Sequence, residues 1–135
     1  MGEAADVVRQ IHARFNERNE DGFMDLCSKR IVWREIAEVP GSGIYQGPEE
    51  VRAWYRKTAD VSDDLTLQIW ELEAKGDAVL TETSAEMTGR GSDVPLGWRF
   101  WCVWRVKNGL VTSHQGFSVR EEAAADLECE TGEGG

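Results

Sequence analysis

Residues 97–119, GWRFWCVWRVKNGLVTSHQGFSV, decide how the rest of this chain reads. Asn108-Gly109 divides the stretch, and both central residues of a type I′ turn need a positive φ that Asn and Gly tolerate. A β-hairpin is expected. Three of the six tryptophans fall here: Trp98, Trp101 and Trp104. One parity of the first strand is Trp98, Phe100, Cys102, Trp104 and Val106; the other is Arg99, Trp101, Val103 and Arg105. Successive strand side chains point to opposite faces, so both faces carry large apolar bodies and the strand should be central in its sheet.

Upstream of the hairpin, residues 65–73 and 78–88 read as an antiparallel pair across Ala74-Lys75-Gly76-Asp77, with 89–97 a loop. Residues 31–36 are a strand candidate with Ile31, Trp33 and Glu35 on one face and Val32, Arg34 and Ile36 on the other. Residues 3–19 read as a helix, because Val8, Ile11 and Phe15 recur at three- and four-residue steps; His12 flanks that stripe. Asp21 is expected to cap a short second helix bearing Phe23, Met24, Leu26 and Cys27. Pro40-Gly41-Ser42-Gly43 reads as a loop, too short to cradle a phosphate. Gly47-Pro48-Glu49-Glu50 then opens a third helix, whose buried stripe is Val51, Trp54, Tyr55 and Thr58. A short helix follows over 121–128. Helices segregated from strands in this way give an α+β domain, with helices on one face of a curved, mostly antiparallel sheet.

The bulk numbers set outer limits. A chain of 135 residues, 41% hydrophobic and 30% charged, fits one soluble globular domain. We assign it to 1–127, with an acidic, Gly-rich tail over 128–135 expected to be disordered. The net charge of −10 argues against a nucleic-acid partner, since phosphate-backbone binding needs clustered Lys and Arg. The three cysteines, Cys27, Cys102 and Cys129, form no framework. The N-terminus is acidic, and no apolar run approaches ~18 residues. A cytoplasmic protein without a membrane partner is expected. A zinc or iron site needs three or four ligands, and neither His-x-His nor Cys-x-x-Cys occurs, so no metal or cofactor is expected.

Several local motifs resemble the nuclear-transport-factor-2-like superfamily, in particular its SnoaL-like, ketosteroid-isomerase-like branch. They are Asp21-Gly22-Phe23, Val32-Trp33-Arg34-Glu35, the run from Gly43-Ile44-Tyr45-Gln46-Gly47 through Val51, and Val103-Trp104 through Asn108-Gly109-Leu110-Val111 to Phe117. The resemblance covers about residues 5–124. It implies a cone-shaped, strongly curved sheet wrapped around N-terminal helices, a cystatin-like roll whose interior is the natural place for a ligand. The fold hosts isomerases, polyketide cyclases, hydrolases, dehydratases and non-catalytic binders, so it does not fix the reaction. A gap-free correspondence with the ketosteroid isomerases places Glu35 on the catalytic carboxylate, Tyr55 on a pocket tyrosine and Trp54 on a wall aromatic. The oxyanion donors do not carry over: Ile11 and Trp101 stand at their positions. Losing one such donor typically costs about a hundredfold or more in rate, so a typical ketosteroid isomerase is not expected.

Pleat parity completes the expected site. If Glu35 points into the cone, so does Trp33, and the hairpin register sends Trp101, Val103, His114, Gly116 and Ser118 inward with Arg99 near the mouth. Trp98, Phe100, Cys102, Trp104, Gln115 and Phe117 then form an outer aromatic face, and a homodimer through Trp98, Phe100, Trp104 and Phe117 would cover it. A carboxylate against aromatic walls is desolvated, which makes Glu35 a competent base near neutrality. The competing reading leaves Glu35 at a strand end, in solvent or paired with Arg34 or Arg99. His114 reads as a proton shuttle or donor, or else as a satisfied core histidine; Tyr55 as a pocket donor or a core aromatic. The expectation is a pocket protein for a lipophilic or polycyclic small molecule. If there is turnover, it is cofactor-independent proton transfer: isomerisation, aldol-type cyclisation, dehydration or epoxide hydrolysis. Glu35 would be the base, with His114 and Tyr55 as donors and Trp33, Trp54, Arg99, Trp101, Val103, Gly116 and Ser118 binding substrate. The alternative is a ligand-binding or assembly module without turnover.

Overall fold

The computed structural model describes residues 3–36, 43–61, 63–88 and 95–129. The chain opens with α1 (Glu3–Asn16), α2 (Glu20–Asp25), β1 (Cys27–Arg34), β2 (Ile44–Gln46) and α3 (Gly47–Ala59). β3 (Thr66–Lys75), β4 (Ala78–Thr88), β5 (Pro95–Lys107), β6 (Leu110–Phe117) and α4 (Arg120–Glu128) complete it. The strands form one open, curved sheet in the order β2-β1-β6-β5-β4-β3. Every neighbouring pair is antiparallel except β1 and β6. This is the expected α+β architecture, and β5 sits between β4 and β6.

Local chemistry sets the ends of the helices. Asn19 caps α2, its side chain accepting from the Gly22 amide; the expected cap, Asp21, instead pairs with Arg52. Before α3, Glu50 reaches back to accept the Gln46 amide at 2.8 Å, and Pro48 enters the first turn. The short edge strand β2 lies in a stretch that carries no strand in the sequence reading. Most of the Pro40–Gly43 loop and the tail beyond Cys129 lie outside the described residues, while Glu128 itself closes α4. α1, α2 and α3 bury Val8, Ile11, Phe15, Phe23, Val51, Trp54 and Tyr55 against Ile31, Trp33, Val79 and Trp104 of the sheet.

The hairpin forms with Asn108 at φ 55° and Gly109 at φ 79°, the two positive values that the turn requires. Its register departs from a plain two-residue hairpin. Lys107 pairs with Leu110 and Val106 with Val111, but Arg105 then pairs with Ser113 and Trp104 with His114. Thr112 is the extra residue of a β-bulge, and its hydroxyl donates to the Arg105 carbonyl at 3.1 Å. A one-residue slip moves a whole set of side chains to the other face. The unbulged register pairs Val103 with His114; the real one gives that place to Trp104. Trp98, Phe100, Cys102 and Trp104 therefore face the helices, whereas Trp101 and Val103 lie on the outer side.

The expected dimer face is corrected by the same slip. Of its four residues only Phe117 is on the outer side, where it pairs with Trp101. Part of that side is covered from within the chain: Ala123 and Leu127 of α4 pack on Ala78, Leu80 and Val103, with Trp101 and Phe117 alongside. The Arg105 guanidinium fastens the helix by donating to the Asp126 carbonyl at 2.8 Å.

Candidate functional site

Between the helices and the inner face of the sheet lies an apolar cavity of about 250 Å³. Ile11, His12 and Phe15 of α1 line one wall, Trp33 and His114 of the parallel β1–β6 pair another, and Phe100, Cys102 and Trp104 the third. Leu65, Leu67, Lys57, Tyr45 and the half-exposed Trp98 also line it.

Glu35 enters this cavity from the residue after β1. Its backbone amide donates to the Gly43 carbonyl at 3.1 Å, which ties the chain as it leaves the sheet. Gly116 admits that chain: a Cβ there would stand 2.9 Å from Ile36 Cγ1 and 3.3 Å from the Ile36 nitrogen. The Glu35 carboxylate accepts a hydrogen bond from the Trp54 indole N–H. Burial raises the Glu35 pKa above its ordinary value, opposed by the Trp54 hydrogen bond, the Lys57 ammonium and a weaker pull from Trp33. Among the described residues the Trp33 N–H has no hydrogen-bond partner of normal geometry. The result is a carboxylate less solvated than a surface group and hence more basic.

Rings continue from that carboxylate across the cavity. Trp54 and Trp33 have centroids 4.4 Å apart. His114 stacks on Trp33 at 3.9 Å and 17°, and meets Trp104 edge-on at 4.6 Å. Trp104 in turn lies 5.1 Å from His12 and donates its N–H to Thr81 at 3.0 Å. Burial lowers the His114 pKa to about 3, with His12 adding to the effect and the Arg34 carbonyl opposing it. Burial likewise lowers His12 to about 4, against the opposing hydrogen bond to Val8. Both imidazoles are neutral at pH 7, so His114 can supply a neutral N–H or lone pair but no imidazolium.

The structure thus brings together Glu35, His114, Trp33 and Trp54 among the residues singled out from sequence. It does not bring in the others. Tyr55 is buried against Phe15 and Phe23, at centroid distances of 5.4 Å and 5.0 Å, off the cavity lining, and its hydroxyl has no partner among the described residues. Trp101 and Val103 pack under α4, on the outer side of the sheet rather than in the cavity. Arg99 lies on the outer face over the Trp70 ring at 4.4 Å and pairs with Glu82 at 2.7 Å. Ser118 follows the end of β6 and is exposed. Gly116 faces inward but serves the approach of Ile36 rather than the lining. Missed were His12, Lys57, Phe100, Cys102 and Trp104. The adjacent polar residues Thr112 and Ser113 between Val111 and His114 were the available sign, because they break a period of two and mark a bulge. Among the described residues no group of three or more His, Cys, Asp or Glu could hold a metal ion. No helix among them is long and apolar enough to cross a membrane.

Comparison with known proteins agrees with this architecture. An NTF2-like protein from Burkholderia thailandensis superposes with a TM-score of 0.73 at 24% identity, covering 93% of this chain and 97% of that one. RV0760c from Mycobacterium tuberculosis, in complex with estradiol-17beta-hemisuccinate, gives 0.72 at 18% identity over 84% of this chain and 92% of that one. TerC, co-crystallized with polyporic acid, gives 0.74 at 15% identity over 94% and 99%. These identities show a shared fold. No match was found among curated proteins. The SnoaL-like domain matches residues 8–114, most of the length, and the chain belongs to that family.

Proposed function

We propose that the cavity binds a lipophilic, planar small molecule and that Glu35 acts on it as a general base in cofactor-independent proton transfer. One observation carries this reading: a partly desolvated carboxylate, held by an indole N–H, faces an aromatic-walled cavity of about 250 Å³. A cavity of about 150 Å³ holds benzene, so this one suits a bicyclic body without rearrangement. RV0760c and TerC, which share the fold, were crystallised with estradiol-17beta-hemisuccinate and polyporic acid respectively, and that supports the ligand class. Isomerisation, aldol-type cyclisation, dehydration and epoxide hydrolysis all begin with such a proton transfer. Tyr55 has no part in it, and His114 acts only as a neutral wall and hydrogen-bonding group. The three thiols, two of them buried, suit a reducing cytoplasm.

The test is exchange of α-hydrogens. With 2-tetralone in D₂O, the protein should speed deuterium uptake at the carbon beside the carbonyl, read by NMR, and Glu35→Gln should abolish that while still binding the ketone. Binding without exchange favours the alternative, a non-catalytic ligand carrier. The half-exposed Trp70 and the partly buried Phe117 favour a second copy of the chain on the outer face, beside α4. Sedimentation equilibrium at micromolar concentration should then give about twice the monomer mass.

A further inference from the structure

His12 carries chemistry that the proposed reaction leaves unused. It is one of two histidines in the chain, it lies on a helix rather than a strand, and acid–base work at Glu35 does not need it. The residue is 6% exposed, and it lines the cavity at the end of the row of rings that begins at Glu35. Its Nδ1 lies 2.8 Å from the Val8 carbonyl. A carbonyl only accepts, so Nδ1 carries the proton and the tautomer is fixed. Nε2 is then a lone pair with no donor among the described residues. Trp104 has spent its N–H on Thr81 and Trp54 its own on Glu35, and the unpartnered Trp33 N–H is a donor. His114 Nδ1 also has no partner among the described residues, but it stands nearer Glu35 in that row, stacked on Trp33.

We infer that His12 Nε2 is a specificity-determining hydrogen-bond acceptor, which selects planar ligands carrying a hydroxyl at the end remote from Glu35. The inference rests on the cavity being a ligand site, as proposed above. A buried acceptor left dry costs free energy, so a bare hydrocarbon entering this cavity would strip His12 of water and return nothing. A phenolic or enolic O–H supplies the missing donor. An ether of the same shape does not. Such asymmetry is how a mostly apolar pocket with few polar groups discriminates between similar bodies.

The probes are 2-naphthol and 2-methoxynaphthalene, which share the ring system and the oxygen and differ in the proton. Titration followed by calorimetry should show wild-type protein binding 2-naphthol about tenfold tighter, the usual effect of one satisfied neutral hydrogen bond. His12→Phe keeps a ring in the wall and removes the acceptor. It should bind both probes equally, and its retained affinity for 2-methoxynaphthalene shows that the cavity is intact. A preference for 2-naphthol that survives in His12→Phe overturns the inference while leaving the cavity a ligand site. Failure of wild-type protein to bind either probe overturns both readings together. A measurement on unmutated protein guards against a variant that does not fold. The unprotonated ¹⁵Nε2 resonance of His12 should move upfield with 2-naphthol bound and stay in place with 2-methoxynaphthalene, and an unmoved resonance with 2-naphthol bound overturns the assignment.

Discussion

The two faces of β5 are built from the same kinds of residue and do opposite things. On the inner side Phe100, Cys102 and Trp104 look across a cavity that their neighbours leave unfilled. On the outer side Trp101 and Val103 are sealed by Ala123 and Leu127 of α4. Covering a strand with a helix from the same chain is ordinary core building. Lining a cavity with a row of indoles, two neutral imidazoles and a carboxylate forgoes dispersion contacts and costs desolvation, and a stability optimum would not contain it. The outer face holds the sheet together, and the inner face keeps room for a ligand.

The largest expected difference between the faces comes from truncating a tryptophan on each. Trp104 is 3% exposed and touches Trp33, His12 and His114 through its ring and Thr81 through its N–H. Trp104→Ala should cost roughly 3–5 kcal/mol in chemical denaturation, a large part of the stability of a domain this size. Trp101 is only partly buried and its N–H has no partner among the described residues, so Trp101→Ala should cost about half as much or less. Equal losses would mean that the two faces are packed alike and that the cavity is not a distinct feature.

Acid should act on the inner face first. His12 and His114 have folded pKa values of about 4 and about 3, below the ordinary 6.5, because burial disfavours the charged ring. Between pH 6.5 and those values the unfolded chain takes up protons that the folded chain refuses, so stability is full above pH 6.5 and falls as the pH drops. Each histidine should remove about 2 kcal/mol between pH 6.5 and pH 5. Glu35 has the opposite sign. Its folded pKa is raised, mainly by burial, so its contribution weakens stability as the pH rises from the unfolded value through the folded one. Glu35→Gln should therefore raise the melting temperature at pH 7, by less than the histidines lower it at pH 5. A melting temperature flat from pH 8 to pH 5 would mean that the imidazoles are solvated and the cavity is open to water.

Much of this arrangement was legible in the sequence. The Asn108-Gly109 turn, the amphipathic stripe of α1 and the Pro48 start of α3 follow from local rules, and so does Glu35 sharing a face with Trp33. The inner row of β5 was not legible, because parity along a strand is reliable only until an extra residue intervenes. Thr112 sits five residues from Phe117, the far end of β6, and inverts every assignment read from the turn across to β5. Tyr55 misled for a different reason: adjacent helical positions, Trp54 and Tyr55, point about 100° apart, so one indole reaches Glu35 while the phenol goes to Phe15 and Phe23. His12 was noticed only as a flank, since nothing in a sequence tells which nitrogen of a helical histidine its own backbone will occupy.

The smallest change on this scale tests what holds the two faces apart. Thr112 is partly buried and its hydroxyl closes on the Arg105 carbonyl, the residue where the pairing shifts. Thr112→Val keeps the shape and β-propensity and removes that one bond, which should cost about 1 kcal/mol. The register itself should hold, because His114 is also fixed by its stack on Trp33 and Trp104 by its bond to Thr81. Nuclear Overhauser contacts between Trp104 and His114 should therefore survive in the variant. Deleting Thr112 should keep them too, since removing the extra residue straightens β6 without changing any pair from Arg105–Ser113 onward. If instead Thr112→Val replaced those contacts with ones between Val103 and His114, a single hydroxyl would be choosing which row of tryptophans lines the cavity, and the packing around His114 would be following the bulge rather than enforcing it.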